Sequence, residues 1–272
     1  MFGRFATIFV VLIAAVGLSA CTEKPPQRIQ AAKFNTPSFS DAEAVWRNAT
    51  LALPVRGSVG SMVTTNDGAI GLLQLAGAKP STRWPVILIL NGCEQKVSLQ
   101  LMRAFAEQGF VTFSLDSAAR RREPIDCGPD KDGHERARLN SQYKEGELDY
   151  ALNELQSVSW ADTQNFFLLG IGEGSTTVAR NSGRFVKARI LAEWDCSGGS
   201  SAVGVQNDEG SPVLLINSAG MPIGKQDGCA TYLVNQIESQ SLTLPESYPN
   251  GILLEPIVFT QMLQFLDRQL FK

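Results

Sequence analysis

The stretch that decides the fold is Asn165-Phe166-Phe167-Leu168-Leu169-Gly170-Ile171-Gly172-Glu173-Gly174. Its first half is almost wholly apolar, and it runs directly into alternating glycines. A short apolar run closed by glycines is the pattern of a strand buried on both faces that ends in a tight turn. Working outward, Pro85-Val86-Ile87-Leu88-Ile89-Leu90 has the same character. Residues 110–115 form the next such run and end at Asp116, and residues 188–192 and 213–216 add two more. Between these strands the apolar spacing becomes helical. Leu101 and Phe105, with Met102 and Ala106, share one helix face, and Gly109 closes that helix. Leu148, Leu152 and Leu155 mark a second helix, and Phe259, Leu263, Leu266 and Leu270 form one face of a closing helix. The segment before Val86, including residues 69–75, predicts one or two antiparallel edge strands. Strands alternating with helices imply right-handed crossovers, so the fold class is α/β: a mostly parallel sheet with helices on both faces. Ligand sites in such sheets lie at the carboxyl ends of the strands. The loops to inspect are those after Leu90, Leu115, Leu169, Ala192 and Ile216.

The chain has 272 residues, 44% hydrophobic and 19% charged, which describes a folded protein with a sizeable core. No internal repeat and no second linker interrupts it. Lys and Arg total 24 against 27 Asp and Glu, so there is no basic excess and no expectation of nucleic-acid binding. The single histidine, His134, excludes multi-histidine metal sites, and no Cys-x-x-Cys pair exists. Neither a metal nor a cofactor is expected.

Arg4 precedes an apolar run over residues 5–15, and small residues follow it up to Cys21. A positive start, a short apolar core and small residues before a cut are the parts of a secretory signal peptide. The run is shorter than the roughly 18–20 apolar residues that a spanning helix needs. Leu18-Ser19-Ala20-Cys21 resembles the lipobox of bacterial lipoproteins. That resemblance implies removal of residues 1–20, lipidation of Cys21 and a membrane as partner through that lipid. Thr22 stands where inner-membrane retention is associated with aspartate, which favours the outer membrane, periplasm-facing. Residues 21–40, with Pro25, Pro26 and Pro37, read as a flexible tether, and residues 41–272 as the folded domain. Losing residues 1–20 would remove one positive charge and no negative one, moving the net charge from −3 to −4.

The loops carry a second resemblance. Asn91-Gly92-Cys93 looks like the His-Gly-Cys loop of dienelactone hydrolase-like α/β hydrolases. Asp116-Ser117 with the following arginines and Cys127-Gly128 is similar to that family's next stretch. Leu169-Gly170-Ile171-Gly172-Glu173-Gly174 lies where the family has its nucleophile elbow, and Trp194-Asp195-Cys196, residues 212–216 and Cys229 look like its last third. The resemblance spans roughly residues 68–272 and implies the α/β-hydrolase fold.

The chemistry is degraded against that pattern. In Gly-x-Ser-x-Gly a strained strand-to-helix turn projects a serine hydroxyl above the sheet. Here the flanking glycines remain, but the nucleophile position is Gly172, which has no atom to attack with. Ser175 falls inside the first helical turn, where helix-start hydrogen bonding is the ordinary role of serine. The acid expected within residues 217–222 is absent, and Asp227 comes later than the pattern wants. No histidine occurs within residues 248–255. His134 lies instead in the polar stretch Asp130-Lys131-Asp132-Gly133-His134-Glu135-Arg136, read as a surface loop on the ligand-binding side.

The expectation is a domain that has lost its triad and acts as a binding or scaffolding protein. Its ligand would be a small carbonyl or carboxylate compound or an envelope protein. An oxyanion pocket is built from backbone N–H groups and survives side-chain loss. Here those donors would be Gly92, Cys93 and Glu173, although the carboxylate of Glu173 opposes an anion. The competing expectation is an active esterase or dienelactone hydrolase-like enzyme with a rearranged site, using Ser175 or Cys93 with His134. A purely structural envelope protein is a third reading. With Cys21 lipidated, four cysteines allow three connectivities. The family resemblance implies Cys93–Cys127 and Cys196–Cys229, each worth about 2–4 kcal/mol. The arginines at 120–122, with Arg136 and Arg138, read either as an anion-binding patch or as a solvated charged loop.

Overall fold

The computed structural model describes residues 40–55, 60–68, 82–92, 97–127, 133–181, 185–194, 196, 205, 210–218, 237–245 and 252–271, and for 133–138 the backbone alone. The compact unit that contains them runs from Phe39 to Lys272. In chain order its elements are α1 (Asp41–Arg47), β1 (Thr50–Pro54), β2 (Ser61–Thr65), β3 (Trp84–Leu90), α2 (Leu99–Glu107), β4 (Val111–Ser114), α3 (Gly133–Ser157), β5 (Ala161–Ile171), α4 (Glu173–Arg180), β6 (Ala188–Ala192), β7 (Val213–Ser218), β8 (Gln240–Leu244) and α5 (Pro256–Leu270). Among the described residues the strands form one sheet in the order β2-β1-β4-β3-β5-β6-β7-β8. β1 is antiparallel to both β2 and β4, and every pairing from β4 to β8 is parallel.

The five apolar runs read from the sequence are therefore the centre of a mostly parallel sheet. Alternation sorts their side chains between two cores. Val86, Leu88 and Leu90 of β3 and Phe166 and Leu168 of β5 pack with Leu148, Ala151, Leu152 and Leu155 of α3 and Val178 of α4. Ile87, Ile89, Phe167 and Leu169 point the other way, onto Leu101, Met102, Phe105 and Ala106 of α2 and Val258, Met262, Phe265 and Leu266 of α5. A strand that feeds both cores has no solvent face, which is why its sequence is apolar without alternation. On α5 the buried face is centred on Val258, Met262, Phe265 and Leu266, while Phe259, Leu263 and Leu270 flank it.

The antiparallel strands expected before Val86 are present at 50–54 and 61–65, and residues 69–75 lie outside the described ones. Two elements depart from the sequence expectations. β8, with the sequence Gln-Ser-Leu-Thr-Leu, is a parallel edge strand whose polar residues face outward. α3 begins at Gly133, so His134 stands in a helix rather than a loop. That first part of α3 is polar, and its composition imitates a loop.

α1 is held from both ends. The Ser40 hydroxyl accepts the Glu43 N–H at 3.1 Å and caps the helix, a contact worth about 1 kcal/mol. Trp46 stacks on Phe113 of β4 at 5.1 Å, and Trp160 stacks on the same ring at 5.7 Å. At the amino end of the sheet, buried Arg189 donates to the carbonyls of Asn181 and Ser211 at 2.7 and 3.3 Å. Burial lowers its pKa to about 10, and the cation ties the end of α4 to the segment before β7.

Candidate functional site

The site is built around the turn from β5 into α4. Gly172 occupies it with φ 57° and ψ −123°, backbone that costs an L-residue about 1–2 kcal/mol or more. Its N–H donates to the Ala192 carbonyl at 2.9 Å, which ties the turn to the end of β6. Its own carbonyl accepts the Ser175 N–H at 3.0 Å and starts the helix. The flanking glycines are there for space. A Cβ on Gly170 would stand 2.7 Å from the Ser175 nitrogen, and one on Gly174 would stand 2.5 Å from the Leu90 carbonyl carbon. Both obstacles are backbone. The elbow geometry is present in full, and glycine at its tip relieves the strain that a nucleophile would have to bear.

The other candidates fall as follows. Ser175 is fully buried and its hydroxyl donates to the Ala192 carbonyl at 2.9 Å, so it serves the helix start and does not project into the cleft. Glu173 opens α4 with an exposed side chain, and Gly92 is half-buried at the end of β3. The side chain of His134 and all of Cys21, Cys93 and Cys229 lie outside the described residues. Cys127 and Cys196 are each disulfide-bonded; the expected partners, Cys93 and Cys229, are not among the described residues. At the end of β7, where an acid was sought, the buried amide of Asn217 accepts the Trp194 N–H at 3.1 Å. Among the described residues no group of three or more His, Cys, Asp and Glu could hold a metal ion. Nor is any described helix long and apolar enough to cross a membrane.

The structure corrects the reading of Arg120, which belongs to neither a solvated loop nor an open patch. Its side chain is 5% exposed and pairs with Glu147 of α3 at 2.8 Å and with Asp41 of α1 at 3.6 Å. Its Nε donates to the Glu123 carbonyl at 2.6 Å, and its guanidinium lies 4.3 Å over the Tyr143 ring. Arg121 and Arg122 do have exposed side chains. Their N–H groups and that of Glu123 bond the Asp41 carboxylate at 3.0, 3.1 and 2.9 Å. Glu147 also accepts the Ser117 hydroxyl at 2.6 Å. One turn earlier on α3, Lys144 donates to the Asn91 carbonyl at 2.5 Å. These charges form a continuous path from the start of α1 to the end of β3.

Their titration follows from burial and partners. Burial pushes the Glu147 carboxyl up, and the Ser117 and Arg120 contacts oppose that only in part. Burial pulls Lys144 down against the attraction of Glu173 and Glu147. Burial also acts to raise Asp41, but the three N–H bonds and Arg120 outweigh it and hold the carboxyl below its usual value. Beyond β6, Glu193 is raised by burial, with the Ile252 N–H opposing, and its backbone sits at φ 52°. Buried charges are worth this cost only when well paired, and here acids and bases alternate.

Lys144, Glu147 and Glu193 were not singled out from the sequence. For Lys144 a signal existed. Continuing the Leu155–Ala151–Leu148 stripe of α3 toward its start lands on Lys144 and Ser141, polar groups on an apolar face. Lys144 links the end of β3 to the start of α4, through its bond to the Asn91 carbonyl and its attraction to Glu173. The arrangement presents no nucleophile at the elbow tip.

No protein-family model matches this chain, and no curated sequence does. Solved structures do. A putative dienelactone hydrolase from Klebsiella pneumoniae matches over 80% of this chain and 98% of its own, at 12% identity and a TM-score of 0.55. The Thermus thermophilus protein TT1662 matches over 70% and 91%, at 16% identity and 0.51. Dipeptidyl peptidase 4 from Porphyromonas gingivalis matches over 71% of this chain at 14% identity and 0.51, and the match spans 32% of the peptidase's length. Such identities speak to architecture alone, here a mostly parallel sheet with helices on both faces. The chain has the α/β-hydrolase fold.

Proposed function

We propose that this chain is a lipid-anchored protein of the bacterial cell envelope whose hydrolase-like domain has lost its catalytic triad and binds a ligand or an envelope protein. The observation that carries the reading is the elbow itself: φ 57° at Gly172, with tight backbone on either side and no atom at the tip to attack. Removing a nucleophile while keeping the turn leaves its backbone donors usable for binding without turnover. The Ser175 hydroxyl, spent on the Ala192 carbonyl, weighs against a relocated serine. In this reading Cys21 carries the lipid, the outer membrane is favoured, and the pairs Cys93–Cys127 and Cys196–Cys229 brace the ligand-binding end.

The test is turnover. Purified mature protein is expected to hydrolyse p-nitrophenyl acetate no faster than buffer, and His134→Ala should leave that baseline unchanged. Turnover by the wild type that His134→Ala abolishes would overturn the proposal in favour of a rearranged enzyme.

A further inference from the structure

The elbow's neighbour is gripped from the side of α3. The Lys144 ammonium, on a buried side chain, holds the Asn91 carbonyl at 2.5 Å. A trans peptide unit is planar, with its N–H pointing opposite its C=O, and the described residues hold no cis bond. Fixing the Asn91 carbonyl on α3 therefore turns the Gly92 N–H away from α3. The same ammonium attracts the carboxylate of Glu173, the residue whose own N–H opens α4. Left alone, that carboxylate would repel an anionic ligand at the helix start, where the backbone otherwise favours one. The other acid near Lys144, Glu147, is engaged by Arg120 and Ser117, and Arg120 in turn by Asp41. The Lys144 charge thus acts on the two segments that border the elbow.

We propose that Lys144 is the positioning residue of this cleft: it aims the Gly92 N–H and offsets Glu173, so that the elbow accepts a carboxylate oxygen. The inference rests on the binding function proposed above and names the residue that selects the ligand's chemistry. No covalent step is involved.

The experiment uses the mature full chain, 15N-labelled, with sodium butyrate as probe. In the ligand-free protein, Lys144→Met should shift the Gly92 amide resonance and speed its hydrogen exchange, and Lys144→Arg should restore both toward wild type. In the wild type, butyrate should shift the Gly92 and Glu173 amides, and Lys144→Met should weaken that binding about tenfold, the loss expected for one ordinary hydrogen bond. A folded Lys144→Met protein with an unmoved Gly92 amide and wild-type butyrate affinity would overturn the inference alone. Wild type that ignores butyrate would sink the carboxylate assignment, while the ligand-free Gly92 result still decides the positioning role. Should Lys144→Met fail to fold, Glu173→Gln serves in its place: with Lys144 no longer offset, butyrate should bind several-fold tighter, and unchanged affinity would refute the charge argument.

Discussion

Gly174→Ala is the sharpest test of how α4 meets the sheet. The added methyl carbon would lie 2.5 Å from the Leu90 carbonyl carbon and 2.9 Å from that of Asn91, where ordinary contact begins at 3.4 Å. About 1 Å must be found, and neither obstacle is a side chain that can turn aside. Leu90 is the end of β3 and lies in register with Gly170 of β5, so moving it strains the central strand pairing. Moving α4 instead breaks the Gly172 and Ser175 contacts to Ala192. Overpacking costs about 1–3 kcal/mol where side chains can adjust, so a backbone clash belongs at or above the upper figure, about 3 kcal/mol. For a domain of this size that lowers Tm by about 6–12 °C. Gly146→Ala is the matched control: nothing lies within 4 Å of its added carbon on α3, and helix propensity predicts a gain of about 0.5–1 kcal/mol. Calorimetry on the two purified variants decides. A Tm for Gly174→Ala within 2 °C of wild type (about 1 kcal/mol or less) would refute the close-approach reasoning.

Arg120→Met should destabilise by about 3–5 kcal/mol, because it leaves the buried Glu147 carboxylate without its paired cation, while Asp41 keeps its three N–H bonds; adding Glu147→Leu should recover part of the loss in urea denaturation. Asp41 has a folded-state pKa below its usual 3.8, so its contribution is complete above 3.8 and is lost as pH falls through the lower folded value. The stability gap between wild type and Asp41→Asn, measured by urea denaturation, should therefore be wide at pH 5 and narrow toward pH 3; a gap independent of pH would contradict the assigned contacts.

The central sheet was legible because each of its strands must satisfy two cores at once, and only apolar residues do that. The elbow was legible for a steric reason, since Gly170 and Gly174 mark where backbone passes backbone. β8 was not, because an edge strand with one wet face carries residues such as Ser241 and Thr243 that a loop also carries. The start of α3 failed similarly: Asp132-Gly133-His134-Glu135-Arg136 has the polarity of a turn, and the helix there is supported from its apolar later half. The ion path was hidden more deeply. Asp41, Arg120, Lys144 and Glu147 are scattered along the chain, and nothing local distinguishes a charge that will be buried from one that stays in water. Only the stripe on α3 marked Lys144 in advance.

The antiparallel attachment of β1 to β4 has a consequence for the chain while it is being made. β1 and β2 can close as a hairpin within microseconds, yet β1 finds its second partner only in β4, and Asp41 finds its donors only at residues 121–123. At about 5–20 residues per second, roughly 3–12 s separate synthesis of the hairpin from synthesis of those partners. Through that interval Leu51, Ala52 and Leu53, all fully buried in the finished fold, stand on an open edge. The first strand made is thus the segment a chaperone would have most reason to hold.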